Sequence, residues 1–123
     1  MQYLTDRKRA VGLGSGRNGT AAHWQMMVRS VIMGVLAPLF IFTVGCGIGG
    51  SYEEVIAYFS RPFPAIVAAL TIVVTFKHFR DGAQLMIEDY VHGLPQKITI
   101  ILMVCISYAA AATGLFAIAR IAL

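Results

Sequence analysis

Two stretches of this chain run without a Lys, Arg, Asp or Glu for longer than a bilayer needs: 23 residues from Ser30 to Tyr52 and 22 from Ile98 to Ala119. A helix rising about 1.5 Å per residue requires ~20 apolar residues to cross a ~30 Å hydrocarbon core. A third window, Pro62 to Phe76, holds 15 residues and reaches spanning length only if its helix continues through Lys77-His78-Phe79-Arg80-Asp81 towards Ile87. Strands fit poorly, because none of the three runs alternates and an even-stranded barrel cannot be made from them. The pattern predicts an all-α membrane protein of one domain, 1–123, with an arm over 1–23 and transmembrane helices over about 26–48, 63–88 and 98–121.

Local punctuation marks the ends. The first helix is expected to begin between Trp24 and Val28, with Trp24 at interfacial depth, a kink at Pro38 and a stop in the glycine-rich run Gly45 to Gly50. Ser51 with Glu54 three residues later is a capping box, so Ser51 to Ser60 reads as a short surface helix or loop. Pro62 and Pro64 suit the first turn of the second span. Gly93 and Pro95 are expected to close it, with Gln96-Lys97 leading into the third. The run Gly14-Ser15-Gly16-Arg17-Asn18-Gly19 matches a dinucleotide-binding fingerprint, but no strand precedes it and no βαβ unit can follow, so it is read as a flexible arm.

Composition agrees with the pattern. Charged residues are 13% of the chain, about half the share of an ordinary soluble domain, and sixteen such side chains cannot cover a small soluble globule. The charges that remain are placed asymmetrically. Arg7, Lys8, Arg9, Arg17, Arg29, Lys77, Arg80 and Lys97 fall on one side, against Arg61 and Arg120 on the other. The positive-inside rule then puts the N-terminus in the cytoplasm and the C-terminus in the periplasm. The basic residues flank spans rather than form one soluble patch, so no nucleic-acid partner is expected. No signal or transit peptide is convincing, and a bacterial inner membrane is the first choice of home, ahead of a mitochondrial one. Cys46 and Cys105 lie at different depths, too far apart for a disulfide, and are expected to be free.

Candidate chemistry gathers between His78 and Gly93. At 100° per residue, Gly82, Leu85 and Asp89 all fall within about 40° of His78, forming one stripe that Asp81 borders. Counted from Pro64, His78 lies ~21 Å below the outer surface, too deep to snorkel out easily. Ionisable groups at such depth mark a functional path or a buried partner. Three readings stand open for His78: an axial haem ligand, with Gly82 one turn on clearing space for a macrocycle; a hydrogen-bonded structural histidine; or a proton relay. Asp89 and Tyr90 read either as a phenol and carboxylate positioned for a ligand carbonyl, or as a helix-end acid and an aromatic-belt tyrosine. His23 by default is interfacial, and Arg29 a basic anchor.

The run His78, three residues, Gly82, then Asp89-Tyr90-Val91-His92-Gly93 with Gln96-Lys97 resembles the small hydrophobic anchor of succinate dehydrogenase, respiratory complex II. Gly16-Arg17-Asn18-Gly19 followed by His23 and Arg29 is similar to bacterial members of that family. The likeness covers roughly residues 16 to 97, and Lys77 and Arg80 beside His78 depart from it. The resemblance implies that three helices pack with a second anchor subunit into a haem-binding bundle. By it, His78 would be one axial ligand of haem b, with His23 and Arg29 near the haem propionates. Tyr90 would hydrogen-bond a ubiquinone carbonyl, supported by Asp89. Electrons would come from succinate oxidised on a flavoprotein subunit, through an iron–sulfur subunit, so the chain would be a subunit of an enzyme without succinate chemistry of its own. The readings from other classes are a small proton-coupled transporter, using Asp81 or Asp89, and a cofactor-free scaffold in a lipid membrane.

Overall fold

A computed structural model describes residues 5–12 and 19–123. The glycine-rich run at 14–19 lies outside the described residues apart from Gly19, as does Arg17. The short helix α1 (Asp6–Val11) is capped at its start by Thr5, whose hydroxyl accepts from the Lys8 amide at 3.3 Å. It ends at Gly12, where φ is 55°. Four further helices follow: α2 (Gly19–Gly47), α3 (Tyr52–Phe59), α4 (Pro62–Tyr90) and α5 (Leu94–Ala122).

Three of these, α2, α4 and α5, are 29 residues each and apolar enough to cross a membrane. At about 1.5 Å per residue each is ~43 Å long, which exceeds a ~30 Å core and leaves whole turns outside it. Two predicted boundaries shift for this reason. Helix α2 begins at Gly19, ahead of the expected Trp24 to Val28, because nothing in Thr20-Ala21-Ala22-His23 breaks a helix. Pro95 does not follow a helix end as a stop; it sits in the first turn of α5, where its missing N–H is no loss. Helix α2 is continuous on both sides of Pro38.

The connections follow their local chemistry. Gly49 adopts φ 102° after α2, a conformation closed to most side chains. The expected capping box is present: the Ser51 amide donates to Glu54 Oε2 at 2.7 Å, and the Glu54 amide donates to Ser51 Oγ at 3.4 Å. Between α4 and α5 the chain turns in three residues, Val91 to Gly93, with Gly93 at φ 75°.

Helix α4 lies in the middle. Both α2 and α5 pack against it and, among the described residues, not against each other, while α3 touches all three. Burial concentrates towards the α3 end, in Leu36, Thr43 and Gly47 of α2 and in Pro64, Ala65, Val67, Ala68 and Thr71 of α4. Small residues allow this closeness, as expected where lipid provides no hydrophobic drive between helices. A Cβ on Gly47 would lie 3.0 Å from the Phe59 ring, and one on Gly114 would lie 3.1 Å from Ile72 Cδ1. The buried hydroxyls of Thr43, Thr71 and Ser107 donate back to the carbonyls of Leu39, Val67 and Met103, each at 2.7 Å. No described side chain is fully enclosed, and large apolar groups such as Val31, Phe42, Ile106 and Phe116 are more than 60% exposed.

Candidate functional site

The site is at the end of the bundle where α2 begins, α4 finishes and α5 starts, which carries most of the basic residues. His78 is half-buried on α4. Its Nδ1 is enclosed by the chain and has no hydrogen-bond partner there. That leaves Nε2 as the nitrogen able to meet a group from outside. One turn further on, a Cβ at Gly82 would touch nothing within 4 Å, so the flank of the helix beside His78 is open. Leu85, Asp89 and Tyr90 continue along exposed surface, with Tyr90 at 82% exposure.

Between α2 and α4 is an open cavity of about 490 Å³. Its lining includes His23 and Arg29 from α2 and Arg80, Asp81, Gln84 and Glu88 from α4. His23 is within α2 and on the cavity wall, in the turn ahead of Trp24, because the helix starts earlier than its sequence neighbours indicated. The structure therefore brings His23 and Arg29 together and sets them beside Asp81, one turn from His78. Asp89 and Tyr90 are adjacent to each other at the end of α4 but do not line this cavity.

A network of charge that the sequence pattern did not reveal crosses the bundle here. Arg29 forms an ion pair with Asp81, joining α2 to α4. The other carboxylate oxygen of Asp81 accepts from Arg80 Nε at 3.2 Å and from a terminal guanidinium nitrogen at 2.9 Å. The second terminal nitrogen of Arg80 donates to the Tyr108 hydroxyl on α5 at 2.7 Å. Arg80 is one of the two residues, with Lys77, that set this chain apart beside His78, and its guanidinium is met by Asp81 and Tyr108. Tyr108 could have been noticed as a tyrosine deep in a span rather than in an interfacial belt. Lys77 and Arg80 together line a smaller groove of about 290 Å³ between α4 and α5, with Ser107 and Tyr108. Both cysteines are free.

Among the described residues no three His, Cys, Asp or Glu side chains come together in a cluster able to hold a metal ion. A metal bound through His78 must therefore take its other ligands from elsewhere. Haem iron does so, from the porphyrin and from a second axial residue. A half-buried imidazole with one enclosed nitrogen, an open helix flank at Gly82 and Arg29 paired with the aspartate one turn away fits such a group.

Residues 1–116 match the family described as the succinate dehydrogenase/fumarate reductase transmembrane subunit. The chain belongs to that family. Among curated proteins it is 46% identical over 123 residues to the succinate dehydrogenase hydrophobic membrane anchor subunit of Paracoccus denitrificans, covering 100% of this chain and 95% of that one. No solved structure matches. As a member of this anchor family, the chain is a multi-pass membrane protein, and its three long apolar helices are the membrane-embedded part.

Proposed function

We propose that this chain is the small hydrophobic anchor of a succinate:quinone oxidoreductase in a bacterial inner membrane. It holds the soluble flavoprotein and iron–sulfur subunits to the bilayer, shares haem b with a second anchor subunit and forms part of the ubiquinone-reduction site. Its basic end faces the cytoplasm, in keeping with the positive-inside rule. The observation that carries the reading is His78, half-buried on the central helix with Nδ1 enclosed and the neighbouring flank open at Gly82. The full-length likeness to an anchor subunit supports it.

In this reading His78 presents Nε2 to the iron, and His23 and Arg29 offer donors to the propionates from the wall of the cavity that they share. Haem b, when bound, supplies a one-electron store beside the quinone site. Tyr90 is twelve residues beyond His78, about 18 Å along α4, at headgroup level where a quinone ring meets a docked soluble subunit. Its hydroxyl donates to the quinone carbonyl, on which negative charge grows as electrons arrive. Asp89 orients that phenol and passes protons from the aqueous side.

The test is a membrane complex purified through a tag on this chain. Flavoprotein and iron–sulfur subunits should co-purify, and its reduced-minus-oxidised spectrum should show b-type bands that disappear or shift in His78→Ala. A complex with neither bands nor co-purifying subunits would overturn the reading in favour of a transporter or scaffold.

A further inference from the structure

Asp81 is shared between two arginines from different helices. One oxygen of its carboxylate pairs with Arg29 on α2, and the other accepts twice from Arg80, at 2.9 and 3.2 Å. Arg80 is itself fixed to α5 through the Tyr108 hydroxyl at 2.7 Å, and Arg29 donates to Gln25 Oε1 at 2.9 Å. The result is a continuous polar strap across α2, α4 and α5. The Arg29 and Asp81 side chains are only 15% and 18% exposed, so their positions are held by neighbours and poorly screened by water.

The strap stands next to the candidate iron ligand. Asp81 is three residues after His78, which places the two on neighbouring positions of one helix face, about 5–6 Å apart at Cβ. A unit charge at that distance in a partly dry medium acts strongly on a neighbouring charge change. An iron accepting one electron is such a change, since the ferric form carries one positive charge more than the ferrous form.

We propose that Asp81 is a positioning residue whose carboxylate, clamped between Arg29 and Arg80, sets the electrostatic potential at His78 and so the reduction potential of the haem that His78 ligates. This inference rests on the haem-binding reading above. The carboxylate stabilises the ferric form, the two guanidinium groups offset it, and the strap fixes how much of each the iron feels. The strap therefore does more than fasten three helices together.

Opposite-sign variants separate this role from fastening alone. In the purified complex, Asp81→Asn removes the negative charge, so the haem should titrate at a more positive potential. At a fixed ambient potential its reduced-to-oxidised ratio should rise about tenfold, which is about 59 mV for a one-electron couple. Arg80→Gln leaves Asp81 paired with Arg29 and removes a positive charge, so the potential should move the other way. Tyr108→Phe keeps every charge and leaves Arg80 held to Asp81 by its two remaining hydrogen bonds, so the potential should stay at the parental value. Shifts of opposite sign support the proposal; shifts of the same sign, or no shift in either variant, overturn it. Should Asp81→Asn fail to assemble, Arg80→Gln decides alone, a negative shift supporting the proposal and an unchanged potential overturning it. Absence of b-type bands from the parental complex would overturn the haem reading itself, whereas an unshifted haem overturns only the role of Asp81.

Discussion

At the scale of single residues, Tyr90 and His78 carry the sharpest expectations. Tyr90→Phe keeps the ring and removes a donor to a carbonyl that becomes negative, a loss of about tenfold to a hundredfold in quinone reduction. Succinate oxidation with a soluble artificial acceptor should persist, because that electron path ends before the quinone. Asp89→Asn should show the same selectivity, less severely. His78→Ala should disturb the b-type spectrum, while His92→Ala should leave it intact, since His92 is exposed in the turn after α4. These residues were legible in the sequence because a histidine, a glycine one turn on and an acid–phenol pair stand out against an apolar helix. The Asp81 strap was not legible. Its partners are 52 and 27 residues away from Asp81 along the chain, at Arg29 and Tyr108, and no periodicity within α4 says which neighbouring helix a side chain meets.

Among the elements, helix ends and close approaches can be tested separately. Ser51→Ala removes half of the capping box of α3, at a cost of about 1 kcal/mol, and amide exchange within Tyr52–Phe59 should accelerate about fivefold. Gly114→Leu would drive a side chain into Ile72, and overpacking of this kind costs about 1–3 kcal/mol. The complex should lose thermal stability in detergent, whereas Gly34→Leu, on a face open within the chain, should not affect the α2–α4 contact. Two spans were readable because charge-free length is a direct consequence of bilayer thickness, and the third only by continuing a 15-residue window through Lys77 to Asp81. Their true ends were not, since the extra turns lie in water or headgroups, where His23 and Gln96 are as acceptable in a helix as in a loop. The proline at 95 shows the same ambiguity: one residue type both follows helices and begins them, and only the three-residue turn tells which.

On the scale of the whole molecule, reporter fusions at Gly12 and after Leu123 should report opposite compartments, the first cytoplasmic and the second periplasmic. Same-side labelling would contradict an odd number of spans. The arrangement itself, one central helix flanked by two that do not touch each other, leaves the chain without a single enclosed side chain among those described. A protein with so slight an interior among its described residues is poorly suited to being stockpiled. Made in excess, it should be recognised by membrane proteases as unfinished and removed, so that its abundance follows that of its rarest companion. Pulse–chase measurement should then find a short lifetime when the chain is produced alone and a several-fold longer one when the remaining subunits are made with it, and the cell would need no separate control to keep the numbers matched.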